Sequence, residues 1–194
     1  MKPSIAENFL DELISTKPVT DNFSVSAFMA STACRLSADV CFEATKSSEY
    51  TEANKRLSRI QLQLEHYEKR FSELSGIFKS MSNEINFPGD FATSGKQEQI
   101  SEIFIDFLKH AYEVISMIRS VAEFSEKYQH NEVYASANLI NAATGNILFT
   151  IKSLPGKNNA GLAGNISKRS GMLSESIFNY SNQIFSLLQK EINH

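Results

Sequence analysis

Two places in the sequence combine residue types that could do acid–base or polar-binding chemistry. The first is Thr20-Asp21-Asn22-Phe23-Ser24. Read as a turn feeding a helix, it turns backbone N–H groups and a helix N-terminus toward an anion or a polarised carbonyl, with Asp21 adding a carboxylate. A plain helix cap would use the same residues. The second is His130-Asn131, followed by Tyr134, Asn138, Asn141 and Thr144. Tyr134, Asn138 and Asn141 recur at i, i+4 and i+7, a polar strip on a helix whose other positions are mostly apolar. Asparagine is a poor helix former, so the strip faces either a polar cavity or water.

Other constellations carry less. Carboxylate-bridged metals in helical bundles need Glu-x-x-His on two helices. The one such run here is Glu191-Ile192-Asn193-His194, at a chain end that would fray. Asp106, His110 and Glu113 share a stripe, but it points away from Phe104, Phe107 and Ala111 and reads as a solvated pair. His66 beside Tyr67 reads the same way. Cys34 and Cys41 lie about 10 Å apart along one helix, too far for a disulfide. They read as buried thiols in a reducing compartment, and two cysteines exclude a zinc site of the usual spacing. Neither GxGxxG nor GxxxxGK[ST] occurs. Lys152, Lys157, Lys168 and Arg169 form a weak basic rim around the last loop. No metal is expected.

The elements that must position these residues are helices, for no period-two alternation appears. Ser4-Ile5-Ala6-Glu7 is a capping box opening a short helix with Ile5, Phe9, Leu10, Leu13 and Ile14 on one face. Pro18, Asp21 and Asn22 predict a break over 17–22. A helix over 24–45 follows, rich in alanine and serine on several faces, as suits a central, surrounded element. Leu57, Ile60, Leu64, Tyr67, Phe71, Leu74, Phe78, Met81 and Ile85 keep 3,4 spacing over four heptads. That describes a long helix packing lengthwise on another, within the chain or in a dimer. A loop over 86–95, helices over 96–128 and to about 154, a flexible link over 155–161 and a last helix complete the chain. The expectation is one all-α domain over 1–194, a bundle of five to six long helices.

Composition sets the frame. With 194 residues, 42% hydrophobic and 21% charged, the chain suits a single globular core. A net charge of −3 argues against a dedicated nucleic-acid binder. No window approaches ~18 consecutive apolar residues, so no transmembrane helix is expected. Acids interrupt the N-terminal stretch where a signal peptide needs an apolar run, and a cytoplasmic location is expected.

The order of these features resembles a known family. A helix ending Phe9-Leu10-Asp11-Glu12-Leu13 is followed by a proline-containing turn. Then come Ser24-Val25-Ser26-Ala27 opening a small-residue helix, Ile77-Phe78-Lys79-Ser80-Met81, and Asn86-Phe87-Pro88. Over most of its length the chain looks like the cyclodeaminase/methenyltetrahydrofolate cyclohydrolase family, including the cyclodeaminase half of formiminotransferase-cyclodeaminase. The resemblance implies an all-α homodimer acting on folate one-carbon units, closing a ring with release of ammonia or opening one with water. Ser24 and Val25 match the end of the family's fingerprint, but its three glycines become Asp21, Asn22 and Phe23, which keeps the backbone from approaching a ligand closely. A basic run shrinks to Lys46 and Tyr50. A lysine two before the later proline becomes Asn86. Ser-Asp-Ala-Gly at the start of the fifth helix becomes His130-Asn131-Glu132-Val133, and later asparagines become Phe149 and Ser153.

These departures fall on the pocket and spare the scaffold. The leading expectation is a diverged enzyme on this scaffold, making or breaking a C–N bond in the ring of a small non-folate substrate by metal-free acid–base chemistry. His130 would transfer the proton and Asp21 would orient or ionise. Asn22, Ser24, Asn131, Tyr134, Asn138, Lys46 and Asn86 would bind the substrate. The alternatives are a methenyltetrahydrofolate cyclohydrolase or formiminotetrahydrofolate cyclodeaminase, and a non-catalytic binding or assembly module using the heptad face. No cofactor is expected, a tetrahydrofolate species entering only as substrate. The partners expected are a small molecule and a second copy of the chain, with no nucleic acid and no membrane.

Overall fold

The structure, a computed structural model, describes residues 18–46, 52–83, 96–153 and 160–192. Within them lie five α-helices: α1 (Pro18–Lys46), α2 (Glu52–Asn83), α3 (Lys96–Ala122), α4 (His130–Ser153) and α5 (Ala160–Ile192). A 3-10 turn over Lys127–Gln129 precedes α4. The expected capping-box helix near Ser4 and the loop holding Asn86 lie outside the described residues. No described helix is long and apolar enough to cross a membrane.

The break expected over 17–22 is not there. Helix α1 starts at Pro18 and runs straight through Asp21, Asn22 and Ser24. Proline suits a first helical position, where its missing N–H has no intrahelical partner in any case and its fixed φ is already helical. Polar Thr20, Asp21 and Asn22 then fill the opening turn, where side-chain oxygens and acids are favoured. At the other end of the chain α5 begins at Ala160, inside the stretch expected to be a flexible link.

Small side chains make α1 the surrounded helix that its composition predicts. Ala27, Ala30, Ala33, Cys34, Ser37 and Ala38 are buried, and α1 packs along α2 and α4 while touching α3. The 3,4 stripe of α2 is absorbed by this packing. Leu57, Ile60, Leu64, Phe71, Leu74 and Phe78 are buried within the chain, so these positions need no second copy to cover them. Helix α3 contributes the most to the core, with Phe104, Ile105, Phe107, Leu108, Val114, Ile115 and Ile118 fully enclosed.

Side-chain contacts fix the direction of each helix. Arg56 meets Ser120 and Arg70 meets His110, so α2 and α3 are antiparallel. Glu102 pairs with Arg169 while Arg119 meets Gln183, so α3 and α5 are parallel. Tyr134 stacks on Phe185 and Ser181 donates to Asn141, so α4 and α5 are antiparallel. The buried Gln129, just before α4, donates to the carbonyl of Val40 near the end of α1. Hence α1, α3 and α5 run one way and α2 and α4 the other. The first turn of α1 lies at one end of the bundle, and the first turn of α4 at the opposite end.

Helix α3 stops at Ala122, earlier than the expected 128. The Phe124 N–H bonds back to the Val121 carbonyl, and Glu126 is extended at φ −81° and ψ 158°. Its N–H donates to Gln129 Oε1 at 2.9 Å while the Gln129 N–H donates to the Glu126 carbonyl at 2.8 Å. This reciprocal pair closes the corner that aims α4 back along α1.

Candidate functional site

The residues expected to work together fall into two groups. Asp21, Asn22 and Ser24 sit in the opening turns of α1. Lys46 ends α1, and His130 and Asn131 open α4. Gln129 is bonded to Val40, nineteen positions after Asp21, which places His130 about 28 Å from Asp21 along the α1 axis. One chain therefore does not bring the two expected catalytic residues together. Asn86 lies outside the described residues, and so does the side chain of Asp21.

At the α1 start, the chemistry is structural. The ring of Phe23 is fully buried. It stacks on Phe78 with centroids 4.5 Å apart and lies 5.6 Å from both Phe104 and Phe107. A position expected to line a pocket is core, because a helix through 20–24 points residue 23 at α2 and α3 rather than outward. Ser24 is buried, with its hydroxyl 3.5 Å from Ser75 Oγ across the α1–α2 seam. Ser26 caps the Asn22 carbonyl at 2.7 Å, and Asn22 itself is half-buried.

At the α4 start, His130 is buried at 4% exposure beside the equally buried Gln129. Asn131 is exposed. Lys46 is exposed and held on its own helix, 2.8 Å from Glu43 Oε1 and 4.0 Å above the Phe42 ring. The polar strip of α4 divides along its length. Tyr134 is half exposed against Phe185, with centroids 4.8 Å apart. Asn138 faces water and turns its amide back to the Tyr134 carbonyl at 3.0 Å. Asn141 accepts from Ser181 Oγ at 2.8 Å, tying α4 to α5. Thr144 is buried, its Oγ1 without a hydrogen-bond partner among the described residues. The strip thus meets water at Asn138 and α5 at Asn141, and these residues do not surround one cavity.

The Asp106–His110–Glu113 stripe is less exposed than expected. The His110 ring is half-buried, 5.4 Å from Tyr67 and 6.3 Å from Phe71, and its Nε2 accepts from Arg70 Nε at 3.4 Å. Burial first, then the Arg70 guanidinium, push its pKa below the ordinary value, against a smaller upward pull from Asp106. Asp106 itself is paired with Lys109 at 2.7 Å, so it is not the partner of His110 in a relay.

Three surface clefts are outlined by described residues. One of about 420 Å³ runs between α3 and α5, past Arg119, Gln183, Ser186 and Lys190. A second of about 240 Å³ continues it past Tyr112, Asn179 and Tyr180. The third, about 370 Å³, lies at the α2 start, between Glu52, Ala53, Arg56, Arg59 and Phe124. None of their described lining residues is among the site residues expected from the sequence. The spacing of Arg56 and Arg59, one turn apart beside the apolar stripe, was the available signal for the third.

No protein-family model matches the sequence, and no curated protein matches it. Among solved structures, the chain is similar to formiminotetrahydrofolate cyclodeaminase from Thermotoga maritima, with a TM-score of 0.79 at 17% sequence identity over 98% of each chain. At that identity the likeness establishes architecture: this chain has the all-helical fold seen in a cyclodeaminase, carried by a strongly diverged sequence.

Proposed function

We propose that the chain is a diverged cyclodeaminase-fold enzyme that makes or breaks a ring C–N bond in a small non-folate substrate by acid–base chemistry. The observation that carries the reading is Phe23, enclosed among Phe78, Phe104 and Phe107 where the family resemblance places an open glycine. A pocket wall rebuilt as aromatic core does not receive the ligand that needed the space, which counts against folate. The alternative of an assembly module rested on the α2 stripe, and Leu57, Ile60, Leu64, Phe71, Leu74 and Phe78 of that stripe are buried within the chain.

In this reading His130 transfers the proton and Asp21 orients or ionises, with Asn22, Asn131, Tyr134 and Lys46 holding polar atoms. Because Asp21 and His130 sit at opposite ends of α1, the two act together only if a second copy supplies one of them. A two-fold homodimer does this when the start of α1 in one protomer meets the start of α4 in its partner, giving two equivalent composite sites. Ser24 is buried in the α1–α2 seam and acts by positioning.

The test is subunit complementation. Ammonia release is measured for N-formimino amino acids and formiminotetrahydrofolate, and ring opening by water, followed by absorbance, for small cyclic amidines and methenyltetrahydrofolate, the two tetrahydrofolates forming the folate arm. Asp21→Ala and His130→Ala should each lower turnover of the accepted substrate by ~10²-fold or more. Mixing the two variants under exchange should restore about a quarter of wild-type turnover, since half the dimers are mixed and each holds one intact site. Turnover of the folate arm alone would overturn the non-folate reading, and no recovery on mixing would overturn the shared site.

A further inference from the structure

The cleft at the α2 start stands outside that catalytic reading and is built differently from the other two. Two of its five described lining residues are arginines, Arg56 and Arg59, which share the cleft with Phe124 just past the end of α3. The Arg56 guanidinium is held on two sides. It donates to Ser120 Oγ at 3.2 Å and lies over the Phe124 ring, 5.3 Å from the centroid. Such a head loses little freedom when it takes a ligand, and its remaining N–H donors keep a planar fork suited to two oxygens. Arg59 lies exposed one turn further on. Neither arginine has a carboxylate partner among the described residues, whereas Arg35, Arg70, Arg119 and Arg169 each do. The one acid among its described lining residues, Glu52, is paired with Lys55 at 3.2 Å. Among the described residues, the cleft therefore carries two guanidiniums without a carboxylate partner beside a half-buried aromatic ring and an alanine methyl. Its volume of about 370 Å³ accommodates a small organic molecule.

We infer that this cleft is a binding site for a small organic oxyanion, a carboxylate or phosphate carried on an apolar or aromatic group. The charged head is taken by Arg56 and Arg59, and the apolar part rests against Phe124 and Ala53. The other two clefts do not share this chemistry, since Arg119 is already paired with Glu123 at 3.1 Å and Tyr112 and Tyr180 face each other.

Side-chain Nε–Hε resonances of arginine report directly on the site. Phenyl phosphate, benzoate and benzyl alcohol are titrated into the full chain. Saturable shifts of Arg56 and Arg59 with either anion and none with benzyl alcohol are expected, and the anion that binds tighter identifies the head group. Arg59→Gln and Arg56→Gln should each weaken binding at least about tenfold, while Arg169→Gln, at the opposite end, leaves it unchanged. Affinity should fall as salt rises. Arg59 is exposed, so its variant reports even if Arg56→Gln loosens the α2–α3 seam. The inference is overturned if no shift saturates below about 10 mM, if benzyl alcohol binds as well as the anions, or if Arg59→Gln binds like the unaltered chain. None of these readouts depends on turnover, so the site and the catalytic reading fail separately.

Discussion

Replacing Phe23 with alanine distinguishes a core residue from a pocket-lining one. The ring is fully buried and touches three other phenylalanines, one stacked at 4.5 Å. Truncation removes its transfer free energy and leaves a cavity between α1, α2 and α3, and comparable Phe→Ala changes cost about 3–5 kcal/mol. For a chain of this length each kcal/mol lowers Tm by about 2–4 °C, so Phe23→Ala should melt roughly 6–20 °C lower. In urea the midpoint should fall with the slope unchanged, since the loss is of packing and not of compactness. A double-mutant cycle with Phe78→Ala should return a coupling of about 0.5–1.5 kcal/mol. Had Phe23 sat in an exposed turn, the change would stay within about ±0.5 kcal/mol. A loss below about 1 kcal/mol, or no coupling to Phe78, would refute the placement of Phe23 in the core, and with it the case against a folate pocket.

Four further outcomes follow from named contacts. Asn141→Ala should cost about 0.5–1.5 kcal/mol, because it removes the α4–α5 hydrogen bond while the Ser181 hydroxyl keeps the Ile177 carbonyl as an acceptor at 3.1 Å, and a double-mutant cycle with Ser181→Ala should return a coupling of about that size, read by urea denaturation. Burial pushes the Cys41 thiol up to about 12 from 9.0 and the Cys34 thiol higher still. Between pH 9 and 12 the unfolded chain therefore loses protons that the folded chain keeps, so stability falls as pH rises, and Cys41→Ala should flatten that fall in pH-dependent denaturation. The His110 pKa lies below 6.5, so its contribution to stability is present above pH 6.5 and is lost as pH falls through the folded-state value. NMR titration should place its midpoint below 6.5, and His110→Asn should lessen the loss of stability between pH 7 and 5. A tetrahydrofolate ligand at ~100 times its Kd would stabilise a genuine folate binder by about 2.7 kcal/mol, and thermal-shift assays should show no such rise here.

Much of the scaffold was legible because helical burial repeats. The 57–78 stripe of α2 reads directly from its 3,4 spacing, and the alanines and serines of α1 announce a helix enclosed on several sides. The N-terminus of α1 was not legible. Proline followed by Thr, Asp and Asn is a turn signal and equally a first-helical-turn signal, and what decides between them is whether Phe23 finds a hydrophobic partner. That partner is Phe78, fifty-five residues away, which no local pattern reveals. Nor does a single sequence show that Asn138 would turn back on its own helix while Asn141 crosses to Ser181. One feature of the site follows from the helix count alone. Successive long helices with short connections alternate in direction, so the first turn of α1 and the first turn of α4, three helices later, belong at opposite ends. Three reversals of direction place Asp21 and His130 at different ends of the bundle. The arginines of the α2 cleft escaped for another reason: charged residues flanking a heptad stripe usually face water, and only the position of Phe124 and Ser120 makes Arg56 part of a site.

The distance between the two ends tests the central claim most directly. Nitroxides placed at Asn22→Cys and Asn131→Cys, with Cys34 and Cys41 replaced, are measured by pulsed electron resonance in protein diluted with unlabelled chain. A separation of roughly 30 Å within the chain is predicted, with an additional distance below about 15 Å emerging when every chain is labelled. A short distance in the diluted sample would contradict the helix directions that part Asp21 from His130, and its absence from the fully labelled sample would contradict a site shared between two copies.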